Sequence, residues 1–462
     1  MAARSAFSLD SFMIIYQDSS RSSHMENSQL ILAGVLVSLV IIYLTSKIGG
    51  ELCIRVNLPP VLGELVGGVI IGISAGHLLI FPDPSAVAAD SLTIQWLMAT
   101  AGLTAANAHS VFADQSEAIS LLAELGVVIL LFEIGLESDL QELLKVGTQA
   151  VIVAIVGVIV PFAIGTLGLI YLFGTPPIAA IFAGASLTAT SIGITAKVLA
   201  EIGKLNTTEG QIIIGAAVVD DVLGIIILAV VAGLSQTGTI DVQTIGYLII
   251  SATVFLVGSI LLGRQLKDYF VIIVDKLQTR GQVLSVALIF AFTLAYIAVA
   301  IHLEAILGAF AAGLILAETQ KRDDILKQIQ PIADLLVPIF FVVVGAKTDL
   351  NILNPFIPAN REGLIIATFL ILAAIVGKVI TGATIFGQPQ INRLAVGVGM
   401  IPRGEVGLIF VSVGAASGAV SDSIQAATIL MVIVTTFIAP PLLRLAFATS
   451  ADTAIAPKEP ET

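Results

Sequence analysis

Gly215-Ala-Ala-Val-Val-Asp-Asp-Val-Leu-Gly-Ile-Ile-Ile227 sets two adjacent carboxylates, Asp220 and Asp221, at the centre of an apolar run over 209–235. A helix needs about 20 such residues to cross a bilayer. An ionisable side chain at mid-bilayer costs at least about 2.5 kcal/mol on insertion scales, so those that occur there tend to carry function. Protons and a dehydrated monovalent cation are natural competitors for the same carboxylate oxygens, because hard cations take oxygen ligands. Adjacent helix positions differ by about 100° in direction, so the two acids need not do the same job. The competing interpretation is a structural pair satisfied by its neighbours.

The rest of the chain sustains the membrane interpretation. Of 462 residues, 57% are hydrophobic and 12% charged, against about 25% charged in soluble domains. The mean hydropathy is +1.04. Charge cannot cover this surface, so lipid must cover much of it. The net charge of −12 reflects 33 Asp and Glu against 21 Lys and Arg, and nothing is basic enough to bind nucleic acid. A single cysteine, Cys53, excludes an internal disulfide and a thiolate metal cage. No Walker motif follows a strand and no cofactor motif is visible. Residues 1–26 are polar apart from Phe12–Tyr16, too short for a signal-peptide core. A loose tail outside the membrane is expected there, and Met25 is an alternative start.

Thirteen apolar stretches read as spans: 27–46, 58–74, 117–136, 147–173, 177–200, 209–235, 244–262, 282–300, 303–318, 331–346, 361–384, 391–416 and 423–446. With the N-terminus outside and the C-terminus in the cytoplasm, fifteen Lys and Arg fall in inside loops and four outside. That asymmetry follows the positive-inside rule and supports both the parity and the orientation.

Two stretches repeat. Val61-Leu-Gly-Glu-Leu-Val-Gly-Gly68 matches Ile306-Leu-Gly-Ala-Phe-Ala-Ala-Gly313, and Gly135-Leu-Glu-Ser-Asp-Leu140 matches Gly345-Ala-Lys-Thr-Asp-Leu350. The matching spans are seven apart, an odd number, so the copies run in opposite directions. That is the inverted repeat of many secondary transporters; generic packing by small residues is the alternative. The second offset, 210, maps 186–191 onto 396–401. Both regions interrupt apolar spans with Gly, Ser, Thr or Pro, which membranes tolerate only where protein or a cavity satisfies the backbone. Paired broken helices point to a transport site.

Further candidates cluster near these positions. Lys378, within Ile371-Leu-Ala-Ala-Ile-Val-Gly-Lys378, is a buried charge expected to pair with Asp220 or Asp221, with snorkelling as the alternative. Thr188, Thr190 and Ser191 offer hydroxyl oxygens, with ordinary helix–helix hydrogen bonding as the alternative, and a monovalent cation is expected at Asp221, Asp220 and Thr190. Met400 and Pro402 mark the second break, and Arg403 and Glu405 flank Gly404 as supporting charges. Glu64 and Glu133 lie within spans and are expected to face a funnel or an interface, without direct contact with the ion.

Taken together, 58–72, 130–140, 185–199, 218–224, 306–318, 338–350 and 401–409 resemble the second family of monovalent cation:proton antiporters. The match covers about 30–446 and looks most like NapA-type sodium/proton antiporters, including those of photosynthetic bacteria. The resemblance implies an all-α, polytopic fold of 13 transmembrane helices with two crossed discontinuous helices, and a homodimer among membrane lipids. Core helices would fall at about 147–235 and 361–446, dimerisation helices at about 27–136 and 282–346, a linker at about 244–262 and a short tail at 447–462. It implies Asp221 as main ion and proton carrier and an Asp220–Lys378 salt bridge. The Asp-Asp pair, where electroneutral relatives carry Asn-Asp, implies electrogenic exchange of sodium or lithium for protons, without a cofactor. Potassium/proton exchange is the rival on the same scaffold, and a sodium-coupled organic-anion symporter is the rival of another class. The chain is expected to lack the nucleotide-binding regulatory domain of Kef-type proteins. The membrane is expected to be the plasma (inner) or the thylakoid membrane.

Overall fold

The computed structural model describes residues 9–82, 87–237, 242–348, 358–386 and 390–453, with the side chains of 9–26 and a few others excepted. In chain order the helices are α1 (Leu9–Arg55), α2 (Pro60–Ile71), α3 (Leu92–Thr100), α4 (Ala105–Glu137), α5 (Leu140–Phe173), α6 (Pro177–Ser186), α7 (Ile192–Glu201) and α8 (Thr208–Thr237). They continue as α9 (Val242–Lys276), α10 (Gln282–Ala300), α11 (Ala305–Ala317), α12 (Arg322–Ala346), α13 (Pro358–Val379), α14 (Arg393–Gly399), α15 (Glu405–Ala416) and α16 (Asp422–Thr453). Nine of the described helices are long and apolar enough to cross a membrane, and four shorter apolar helices accompany them. An isolated helix is what a bilayer requires, because every backbone group must be bonded within the segment.

Contacts divide the chain into two units. The first comprises the described parts of Met1–Ile48, Glu64–Glu124 and Pro338–Asp349. Here α1 exposes Leu32, Leu36, Val40 and Leu44 at a spacing of four, one apolar stripe along a helix face. The stretch 75–116, read as a long outside loop between two spans, is largely helical. Ile94, Leu97, Val111 and Phe112 form a buried cluster, and the Ser91 side chain caps α3 by accepting from Ile94 N at 3.3 Å. In this unit α2 crosses 342–346 at glycine. A Cβ on Gly68 would lie 2.9 Å from Gly345 Cα, closer than side chains allow.

The second unit holds Gly49–Gly63, Leu125–Val337 and the described part of Leu350–Thr462. Its own glycine crossing is equivalent: a Cβ on Gly135 would lie 2.9 Å from Gly313 Cα. Each crossing joins the first motif of one sequence repeat to the second motif of the other. Arg322 closes the C-terminal end of α4 by donating from Nε to Leu136 O at 2.8 Å and from Nη2 to Glu137 O at 3.1 Å. That satisfies carbonyls a helix end leaves orphaned.

Two expectations change. The tail before residue 27 is helical from Leu9, continuous with the span that follows. The span expected at 244–262 extends to Lys276. Its extension is held by Lys267–Glu318 at 3.2 Å and Lys321–Asp275 at 2.8 Å, so lysines expected in a loop lie on a helix. The Asp275 carboxylate beside it raises the Lys321 amine above its ordinary value.

Candidate functional site

Asp220 and Asp221 lie 12 and 13 residues into α8, about 18–20 Å along its axis. Asp220 is fully buried and Asp221 is 2% exposed. Lys378, also fully buried, donates from Nζ to Asp220 Oδ2 at 3.0 Å. Lys378 stands at the last turn of α13, where the helix tightens into a 3₁₀ segment at Ile380–Thr384. Thr381 Oγ1 donates back to Lys378 O at 2.6 Å. Room for the ammonium comes from α5: a Cβ on Gly157 would lie 3.2 Å from Lys378 Nζ.

Helix α6 ends at Ser186 and α7 starts at Ile192; α14 ends at Gly399 and α15 starts at Glu405. The two interruptions bond to each other. Ser191 N–H donates to Pro402 O at 2.8 Å. Thr190 Oγ1 donates to Met400 O at 3.2 Å, and Thr195 Oγ1 to Gly399 O at 3.1 Å. Arg403 Nη1 donates to Ala189 O at 2.7 Å, and Thr436 Oγ1 to Arg403 O at 2.6 Å. Backbone groups freed by the interruptions thus find partners inside the protein, as the bilayer demands. Thr188 points back along its own chain, donating to Ala185 O at 2.7 Å. Glu405 opens α15, and its side chain lies outside those described.

The site is electrostatically balanced. Asp220, Asp221 and Arg403 all act on Lys378, and Asp220 acts on Arg403. With both carboxylates ionised, two anions face two cations, and isolated buried charge would cost several kcal/mol per ion. Arg403 is fully buried, and its Nε and Nη2 have no hydrogen-bond partner among the described residues. Helix ends add partial charges, positive at the starts of α7 and α15 and negative at the ends of α6 and α14.

These groups suit a hard monovalent cation as cargo. Two carboxylates and the Thr190 hydroxyl are oxygen donors, and Thr190, while donating to Met400 O, keeps acceptor lone pairs. No group of three or more His, Cys, Asp or Glu able to hold a metal occurs among the described residues.

Four participants carry no signal legible in the chain alone. Gly157, Thr195 and Thr436 sit in apolar text rich in Gly and Thr, and Ala189 takes part only through its carbonyl. The second interruption falls at 400–404, a few residues beyond the 396–401 that the repeat predicts. Glu64 accepts from Ser46 Oγ at 2.9 Å in the first unit.

The model of the sodium/hydrogen exchanger transmembrane family matches residues 31–448. A high-affinity Na+/H+ antiporter, NhaS3, of Synechocystis is 64% identical over 422 residues, which are 91% of this chain and 92% of that protein. A Na+/H+–K+ antiporter, GerN, of Bacillus cereus is 32% identical over 414 residues, 88% of this chain and 95% of that protein. The solved sodium proton antiporter MjNhaP1 of Methanocaldococcus jannaschii superposes with a TM-score of 0.60 at 17% identity, covering 91% of this chain and 99% of that one.

Proposed function

Because the chain belongs to the sodium/hydrogen exchanger family, a family of multi-pass membrane ion exchangers rather than enzymes, we propose that it exchanges Na+, or Li+, for H+ by alternating access. The observation that carries this reading is the buried, charge-neutral set of Asp220, Asp221, Lys378 and Arg403 beside two bonded helix interruptions. Asp221 is the main carrier, and Asp220 is the partner of Lys378. A cation arriving at Asp221, with Asp220 and the Thr190 hydroxyl as further oxygens, displaces protons from the acids and the Lys378 pair. Release on the other side follows movement of the site past the membrane barrier. Two protons per cation make the cycle electrogenic.

In this reading the nine long helices, the two short ones at 60–71 and 305–317 and the two interrupted pairs make thirteen spans in an inverted repeat, with the interrupted pairs crossing. The core is formed by about 147–235 and 361–446, and a homodimer by about 27–136 and 282–346. The N-terminus is outside and the C-terminus cytoplasmic, in a plasma or thylakoid membrane. The similarity to the Na+/H+–K+ antiporter GerN of Bacillus cereus favours one rival, potassium in place of sodium. Purified protein in vesicles with an internal pH dye tests the reading: sodium-driven proton movement is expected, weaker with potassium. Proton movement independent of sodium contradicts it.

A further inference from the structure

The two copies of the sequence repeat carry opposite charges at one equivalent position. Glu137 in Gly135–Leu140 corresponds to Lys347 in Gly345–Leu350. Each lines a cavity within its own unit. Around Glu137 the wall holds three further acids, Asp139, Glu142 and Glu318, against the cations Lys267 and Arg322. The cavity at Lys347 has a volume of about 490 Å³, and Glu117 is the one acid among its described lining residues. That volume suits a small ligand or a headgroup.

Hydrogen-bond donors converge on this second cavity. Ala113, Ser116, Glu117 and Ser120 line it from α4, at i, i+3, i+4 and i+7 and so along one helix stripe. Lys347 Nζ donates to Ser120 Oγ at 3.2 Å and stands 4.7 Å from the centre of the Phe81 ring. The ring holds the ammonium at the wall. Having accepted from Lys347, the Ser120 hydroxyl still carries its own proton to donate. Ser116 is 4% exposed, and its Oγ makes no hydrogen bond among the described residues. A buried hydroxyl costs free energy until it is bonded. One ammonium and two hydroxyl protons therefore meet in one space, and a charge-assisted donor set of this kind takes an oxyanion. Glu117, exposed on the same stripe, opposes negative charge there.

We propose that the cavity at Lys347 binds a phosphate group, held by Lys347, Ser120 and Ser116 and weakened by Glu117. Free phosphate and the headgroup of an anionic phospholipid share this chemistry. Binding there is independent of ion exchange, so its failure would leave the exchanger reading untouched.

The test follows thermal unfolding of full-length protein, whose midpoint a ligand of the folded state raises by mass action. One arm adds sodium phosphate to protein in neutral detergent, against sodium chloride at equal sodium concentration. The other compares nanodiscs of phosphatidylcholine alone with nanodiscs containing phosphatidylglycerol. A Lys347-dependent rise in the first arm identifies free phosphate, and one in the second arm alone identifies a headgroup; both support the site. Lys347→Met is expected to raise the half-effective phosphate concentration, or phosphatidylglycerol fraction, about tenfold, and Ser116→Ala about threefold. Glu117→Gln is expected to lower it about threefold, because a like charge leaves the site. No rise in either arm, or a rise of equal size in wild type and Lys347→Met, overturns the proposal. If Lys347→Met fails to fold, Glu117→Gln decides: a half-effective concentration unchanged or raised contradicts an oxyanion.

Discussion

The two interruptions are of equal length and unlike composition. The first, 187–191, reads Leu-Thr-Ala-Thr-Ser and carries hydroxyls without charge; the second, 400–404, reads Met-Ile-Pro-Arg-Gly and carries one fully buried cation. Hydrogen bonds run mostly one way, from Thr190, Ser191 and Thr195 onto carbonyls at 399–402, and the Arg403 guanidinium returns one to Ala189 O. The first interruption thus keeps oxygen lone pairs available to an ion, while the second supplies fixed positive charge against Asp220 and Asp221. A repeat that duplicates backbone geometry has been given different chemistry in each copy.

The charged side should be the harder to break. Arg403→Met removes one of two cations from a buried, balanced set. It is expected to cost about 3–5 kcal/mol, the usual penalty for breaking a buried ion network, read as thermal unfolding in detergent. A cost near that of a single neutral hydrogen bond would erase the distinction between the two interruptions. Thr190→Val should be milder in stability, about 1 kcal/mol for one hydrogen bond. It should also raise sodium half-saturation several-fold, because it takes away a ligand oxygen. A stability loss with unchanged sodium dependence would reduce Thr190 to a structural tie. Gly404→Ala should be smallest. Its backbone is extended (φ −131°, ψ −159°), and the new Cβ would lie 3.0 Å from Ser191 Oγ, the end of a small side chain. A cost below about 1 kcal/mol is expected, and the double variant with Ser191→Ala should relieve only part of it, because Ser191 Cβ would also lie 3.1 Å from the new Cβ.

These differences explain what could be read in advance. Asp220, Asp221 and Lys378 stand out in sequence because charge in an apolar span is rare. The glycine crossings at 68/345 and 135/313 stand out because backbone contact leaves room for no other residue, so the motifs repeat. Which acid meets Lys378 is not written in spacing, since the two differ only in direction on one helix; the Nζ–Oδ2 contact at 3.0 Å resolves it for Asp220. Carbonyl partners such as Ala189 leave no trace in side-chain identity. Helix α3 escaped notice because its nine residues are too few for a span, and the first turns of α4 because Asn107, His109, Asp114 and Gln115 break the apolar run.

The central claim is that Asp221 carries the exchanged ion. The most direct measurement is sodium-driven proton movement in vesicles holding wild type or Asp221→Asn, each verified as folded. The substitution keeps shape and removes the charge. Exchange is expected in wild type and abolished in Asp221→Asn, whereas a variant that exchanges sodium for protons at the normal rate would contradict the account.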